Sequence, residues 1–470
     1  MKTILIIVFL FFSSVFFSQN FISNKVDSLL SDKFFESVSF SVNIYDLTTQ
    51  TELYQRNKKL LLTPASNMKI LTSAAGLLFL GPEYNFQTSI YYTGEIDDDE
   101  IEGDLYFIGG CDPEFNMDNL RKMIRQIKSL GVDEIDGNIY GDVSMMDSLY
   151  WGKGWMWDDD PGSYVPYLNP LTINNASIKI AYKPGKIGEP AEITLLHDPG
   201  YIPVINNSIT VEDDTSDFSV TRNWIEKKDE IIATGKLSIT ASTDSVEVNL
   251  TRPAEYFMHL VCQLFEEEGI DFGGEINYAA TPREAVMLSK NERPYKEIIT
   301  ALNKNSNNLN AEMTLRALAS KHFCKPASAE NGLKMIDSLV TLIGLNPEYY
   351  SFADGSGISS YNLISTELLL EILKNFYFHH PELYKILFES FPVAGIDGTL
   401  ANRMKDCACI GNVHAKTGTK SVASSLSGYL NSKNDHNIVF SIIFENFLEE
   451  VNTARKIQDE ICKILCEAEI

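Results

Sequence analysis

Ser66-Asn67-Met68-Lys69 sets a hydroxyl and an amine three residues apart, and it is the only Ser-x-x-Lys in the chain. On a helix that spacing puts both groups on one face, within reach of each other. A lysine in apolar surroundings has its charged form disfavoured, so the neutral amine can take a proton from the serine and make it a nucleophile. A helix start at the same place would add backbone N–H groups able to stabilise negative charge on an oxygen. Taken alone, the tetrapeptide also reads as a helix cap followed by a snorkelling lysine. Lys416-Thr417-Gly418-Thr419 is a second candidate. A cation on a strand beside a cleft can hold a carboxylate, and glycine lets another backbone approach closely. Ser306-Asn307-Asn308 is a third; Ser289-Lys290-Asn291 and Ser360-Tyr361-Asn362 match the same Ser-x-Asn pattern, so only its context gives it weight.

The elements that must carry these groups follow from periodicity. Ser37 to Asp46 alternates polar and apolar residues as a half-buried strand does, with Thr51 to Gln55 as its hairpin partner. Thr63-Pro64-Ala65 opens a helix predicted to run to about Leu80 and to stop at Gly81. That helix is apolar nearly all round, which predicts a central, buried position for Lys69. Ser306 falls in a polar loop between helical patterns over Tyr295 to Leu302 and Leu309 to His322. Lys416 falls on a strand, Val413 to Thr419, followed by strands over Ala423 to Leu430 and Asn437 to Phe444 and an amphipathic helix from Glu449 to about Cys466. Strands at both ends of the chain predict one sheet assembled from both termini, with helices on its faces.

Ser-x-x-Lys on a buried helix, Ser-x-Asn in an interhelical loop and Lys-Thr-Gly on a late strand, in that order, form the signature of penicillin-binding proteins and serine β-lactamases. Beyond these, the chain resembles the D-alanyl-D-alanine carboxypeptidase/endopeptidase family, the low-molecular-mass class C penicillin-binding proteins. The resemblance covers nearly the whole mature chain. It includes the long gap from Lys69 to Ser306, Gly109-Gly110-Cys111-Asp112-Pro113, Asp354-Gly355-Ser356-Gly357-Ile358-Ser359 and the segment Pro392 to Leu400. Cys111 stands where the family usually has glycine, and Asn307 where class A β-lactamases have aspartate. The Asp354 and Gly395 segments read by themselves as turns shaping a cleft rim.

The fold this resemblance implies is α/β (α+β), a penicillin-binding-protein/serine β-lactamase-like transpeptidase domain with an antiparallel sheet flanked by helices and two nested inserted domains. The boundaries are residues 19–83 and 279–470 for the catalytic domain, 84–174 and 249–278 for the first insertion, and 175–248 for a nested β-rich domain. The implied activity is two-step acyl transfer on peptidoglycan stem peptides, with no cofactor. Ser66 attacks the penultimate D-alanine carbonyl, Lys69 takes the proton, and the Ser66 and Thr419 N–H groups hold the oxyanion. Ser306 relays a proton to the leaving amine, Asn308 binds the substrate backbone, and Lys416, Thr417, Gly418 and Thr419 form the wall that engages the terminal carboxylate. β-Lactam antibiotics would acylate the same serine. In this family a pocket of the first insertion reads the diamino-acid side chain; Trp157, Asp160 and Tyr164 are the candidates here, and an acidic surface loop with packed aromatics is the equal alternative.

Composition sets the remaining bounds. The 470 residues carry a net charge of −25, which argues against nucleic acid as a partner. Lys2, the apolar run Ile4 to Phe12 and the small residues to Ser18 read as a signal peptide over 1–18. No later stretch is apolar enough to span a bilayer, so the expectation is a periplasmic protein with no membrane anchor after processing. Seven cysteines and seven histidines include no C-x-x-C and no H-E-x-x-H, and no metal centre is expected. Two rival readings are a β-lactamase, which would have a more compact chain, and a catalytically silent peptidoglycan-binding envelope protein, which would be free to lose the set Ser66, Lys69, Ser306, Asn308 and Lys416.

Overall fold

The computed structural model describes residues 21–198, 200–214 and 216–470. The signal-peptide segment 1–18 lies outside the described residues. The chain divides into two compact units. One comprises the described residues up to 83 with 295–318 and 329–470; the other comprises 84–294 with 319–328.

The first unit is built on a five-stranded sheet in the order Thr51–Arg56, Ser39–Asp46, Asn437–Glu445, Ala423–Asn431, His414–Lys420. Every neighbouring pair is antiparallel, and Ser39–Asp46 pairs with Asn437–Glu445 along its full length, joining the two ends of the chain. The central strands are buried almost throughout, because helices cover both faces and leave no solvent side to select polar residues. The C-terminal helix Val451–Glu467 seals one face, burying Ile461, Cys462 and Leu465 in a cluster with Val42, Ile44, Leu426 and Phe440.

The helix carrying Ser66 and Lys69 forms in three pieces: a 3-10 turn Ala65–Asn67, an α-helix Met68–Ala75 and a π-helical turn Gly76–Leu80, ending at Gly81. All eight residues of Met68–Ala75 are buried, Lys69 among them. The helix Tyr295–Lys304 lies against it, and the buried Asn303 amide ties the two by donating to Ser73 Oγ at 3.0 Å and to Ser390 Oγ at 2.8 Å. That contact sets the position of the Ser306 loop, which follows directly.

The second unit has a mixed five-stranded sheet in the order Ile276–Tyr278, Ile139–Asp142, Leu105–Ile108, Asn85–Tyr92, Val286–Pro294, backed by helices Met117–Ser129 and Pro253–Glu268. It differs from the sequence-based boundaries in two ways. The return to the first unit falls after Pro294 rather than at 279, because Val286–Pro294 pairs antiparallel with Asn85–Tyr92 and belongs to that sheet. The segment 175–248 is indeed β-rich, yet it is not a separate compact body. Its Ile178, Ile180, Ile202, Ile231 and Val248 share one apolar core with Phe107, Phe257 and Leu264.

Candidate active site

The first unit brings these residues into two hydrogen-bonded groups, Ser66, Lys69, Asn308 and Ser356 in one and Ser306 and Lys416 in the other, with Ser66 and Ser306 lining the same cavity. Lys69 Nζ lies 3.0 Å from Ser66 Oγ, 2.5 Å from Asn308 Oδ1 and 2.6 Å from the Ser356 carbonyl. A neutral amine has two protons and one lone pair. Donating to Asn308 and Ser356 leaves the lone pair for the Ser66 hydroxyl. Burial, the dominant effect, lowers the Lys69 pKa to about 7, against the opposing pull of the Asp354 and Glu312 carboxylates. Lys416 Nζ donates to Ser306 Oγ at 3.0 Å and to the Thr417 carbonyl at 2.8 Å. Burial first, then the neighbouring charge of Lys69, pushes the Lys416 amine well below the usual lysine range.

Two residues of the site have strained backbone. Ala65 and Ser306 have positive φ values of 46° and 57°, a region costly for any residue with a Cβ. Gly418 is required for a reason other than the one its sequence context suggests. A Cβ there would meet Ser425 Oγ at 2.1 Å, the Pro64 carbonyl oxygen at 2.7 Å and the Ser66 nitrogen at 3.0 Å. The glycine admits the Pro64–Ser66 turn of the protein itself. Gly357, with φ of +86°, does the same from the other side, its missing Cβ leaving room for the Ala65 carbonyl. Cys111, in the family's usual glycine position, also has a positive φ, 58°.

The Asp354–Ser359 segment, expected on the rim, instead lies beneath the cluster. Asp354 is 1% exposed and accepts from the Gly357 and Ser359 N–H groups at 2.8 and 2.6 Å, folding the turn that aims the Ser356 carbonyl at Lys69. Glu312, equally buried, accepts from the N–H groups of Gly355 and Ser356, both at 2.9 Å. Burial and the Asp354 charge push its carboxyl up. Sequence reading missed Glu312; the available signal was a charged pair, Glu312 and Arg316, one turn apart within the stretch Leu309 to Ala319. The Pro392 to Leu400 segment does reach the rim, where Thr399 Oγ1 and Thr417 Oγ1 are 2.7 Å apart. A cavity of about 840 Å³ opens in front of Ser66 and Ser306, bounded by Thr399, Thr417 and Thr419.

The second unit treats the other candidates differently. Trp157 and Tyr164 are 70% and 61% exposed, but Asp160 is 4% exposed and its carboxylate is enclosed. One oxygen is ion-paired with the fully buried Arg222 and the other accepts from Tyr167 Oη at 3.0 Å. Arg222 in turn donates to Asn249 Oδ1, so Asp160 anchors the loop to a strand rather than facing an amine. The acids beside Tyr164 are Asp158 and Asp159, whose charges, after burial, raise the pKa of its phenol. Asp160→Asn is therefore expected to lower stability by about 2 kcal/mol, the scale of a hydrogen bond to a charged group; a urea denaturation midpoint equal to wild type would contradict this.

The chain is similar to several known proteins. The chain is 28% identical over 433 residues to the D-alanyl-D-alanine carboxypeptidase of Actinomadura sp. (strain R39), covering 89% of this chain and 80% of that protein. It is 23% identical over 435 residues to D-alanyl-D-alanine carboxypeptidase DacB of Haemophilus influenzae, covering 92% and 90%. The crystal structure of penicillin-binding protein 4 (dacB) from H. influenzae superposes with a TM-score of 0.82 at 22% identity, over 93% of this chain and 98% of that one. The same protein has been solved in complex with a β-lactam, and that structure superposes with a TM-score of 0.77 at 21% identity, over 93% and 98%. Residues 22–468 match the D-Ala-D-Ala carboxypeptidase 3 (S13) family, and the chain belongs to that family.

Proposed function

We propose that Ser66 is the nucleophile of this serine-type D-Ala-D-Ala carboxypeptidase and Lys69 its general base. The observation that carries the assignment is the 3.0 Å separation of Lys69 Nζ from Ser66 Oγ, with the amine buried and its pKa lowered to about 7. Ser66 Oγ bonds to the carbonyl carbon of the penultimate D-alanine while its proton passes to Lys69. The oxyanion is held by the backbone N–H groups of Ser66 and Thr419. Collapse of the tetrahedral intermediate breaks the C–N bond, and Ser306, hydrogen-bonded to Lys416, delivers the proton to the departing amine. With that proton handed on from Lys69 through Ser306 to the amine, Lys69 is neutral again and accepts a proton from the water that attacks the acyl-enzyme; this proton returns to Ser66 Oγ as the ester C–O bond breaks. Asn308 binds the substrate backbone, and Lys416, Thr417 and Thr419 face the carboxylate end, with Gly418 keeping that strand against Ser66.

The substrates in this reading are peptidoglycan stem peptides, cleaved as a carboxypeptidase and additionally as an endopeptidase, in the periplasm after removal of residues 1–18. No described helix is long and apolar enough to cross a membrane. The diamino-acid side chain is read by Trp157 and Tyr164, with Asp158 in place of Asp160 as the exposed acid. The β-lactamase and silent-binder readings are not favoured, since the named relatives are carboxypeptidases and the hydrogen-bonded set is complete.

Intact mass after incubation with benzylpenicillin, followed by fragmentation, tests the assignment. One adduct located on Ser66 is the expected result. An adduct elsewhere, or none on folded protein, would overturn it.

A further inference from the structure

The cavity in front of Ser66 continues beyond the expected wall, along the C-terminal helix Val451–Glu467, where Asn452, Arg455 and Lys456 line it. Arg455 is half-buried and donates from Nη2 to Thr419 Oγ1 at 3.1 Å and from Nη1 to Asn452 Oδ1 at 3.2 Å. Asp459, the acid whose charge reaches it, is held by Arg403 at 2.6 Å. Among the described residues Arg455 enters no ion pair, although Glu450 and Asp459 also line the cavity, so no carboxylate occupies its guanidinium where it meets the Lys-Thr-Gly-Thr strand.

Of the lysines, Lys456 lines the cavity but is exposed, and the two beside Ser66 and Ser306 do not supply that charge as well. Lys69 and Lys416 are both fully buried and engaged by oxygens of the protein, and burial drives both toward the neutral amine. A guanidinium keeps its proton under all working conditions, and its planar fork matches a carboxylate with two parallel hydrogen bonds. Thr419, the residue that Arg455 holds, is also the one placed at the oxyanion.

We propose that Arg455 is the specificity-determining residue for the leaving group: it reads a carboxylate one carbon away from the departing nitrogen. That chemistry is shared by a terminal D-alanine and by the amino-acid centre of a cross-linked peptide. A leaving group of this class delivers its anion to the Thr419–Arg455 corner while its nitrogen faces Ser306. The inference rests on the function proposed above and adds the residue that selects among substrates of that reaction.

The test compares kcat/KM for an N-acylated D-Ala-D-Ala peptide and for the same peptide with its C-terminal carboxylate converted to an amide. Wild type is expected to prefer the acid. Arg455→Gln is expected to lose about 10- to 100-fold on the acid, the scale of a charge-assisted hydrogen bond. Its rate on the amide should stay within about twofold, and Arg455→Lys should recover part of the preference for the acid. Equal losses on both substrates, or an acid preference retained in Arg455→Gln, would overturn the proposal. A urea denaturation midpoint for each variant separates loss of folding from loss of recognition. Acylation by benzylpenicillin keeps the two readings apart. A Ser66 adduct on wild type together with an unchanged acid preference in Arg455→Gln defeats the role of Arg455 alone. No adduct and no cleavage by wild type defeats both.

Discussion

Lys69→Met is expected to slow acylation of Ser66 by benzylpenicillin by about three orders of magnitude in a protein that still folds. Methionine is close to lysine in volume and apolar, so the buried site stays filled and loses a group whose charged form burial already disfavours. What disappears is the proton acceptor 3.0 Å from Ser66 Oγ. Removing a positioned general base costs typically 10²- to 10⁴-fold, and no other amine lies within hydrogen-bonding reach of that hydroxyl among the contacts of the described residues. The wild-type pH profile carries the same information. Lys69 is lowered from 10.5 to about 7, so its base form dominates above pH 7 and is depleted about tenfold per unit below it. The acylation rate should therefore rise with pH and level off above about 7. A Lys69→Met protein acylated at the wild-type rate, or a wild-type profile still climbing at pH 9 to 10 as an unperturbed lysine would give, would remove Lys69 from the base role.

Gly418→Ala is expected to lower kcat/KM by more than about a hundredfold and to destabilise the fold by about 1–3 kcal/mol, with no functional group removed. The added carbon would sit 2.1 Å from Ser425 Oγ and 2.7 Å from the Pro64 carbonyl oxygen, and those two atoms hydrogen-bond each other at 2.6 Å. Neither is the loose end of a flexible chain. The strand must move away from the nucleophile turn, at the cost typical of overpacking. A shift of about 1 Å between Ser66 and the Thr419 N–H is enough for a hundredfold loss of rate. Stopped-flow acylation and a denaturation curve on one preparation check both effects. Activity within a few-fold of wild type would mean that the strand has slack here.

Much of this architecture was legible before the structure. The alternation over Ser37 to Asp46, the all-apolar surface around Lys69 and the three late strands are local patterns set by periods of 2 and 3.6, and they correspond to Ser39–Asp46, Met68–Ala75 and the sheet of the first unit. The Ser-x-x-Lys pair is similarly local, because three residues of helix fix the distance between its groups. The sheet that Val286–Pro294 joins was not legible, because the segment looks the same in sequence whichever sheet it joins. Its pairing with Asn85–Tyr92 is a contact across about 200 residues.

The choice of Asp160 as an open acid went wrong for a related reason. Asp158, Asp159 and Asp160 are chemically identical neighbours, and only the arrival of Arg222 from a distant strand decides which carboxylate is enclosed. Glu312 and Asp354 beneath Lys69, and Arg455 beside Thr419, likewise acquire their roles from partners far away in the chain. By itself, then, the sequence determined the family, the pairing of Ser66 with Lys69, and the elements that carry them, since each is written in neighbouring residues. Tertiary structure alone decided the burial that lowers the Lys416 pKa, the steric need for Gly418 and which acids and cations face the cavity. Burial and long-range pairing set those properties, and neither is encoded at any single position.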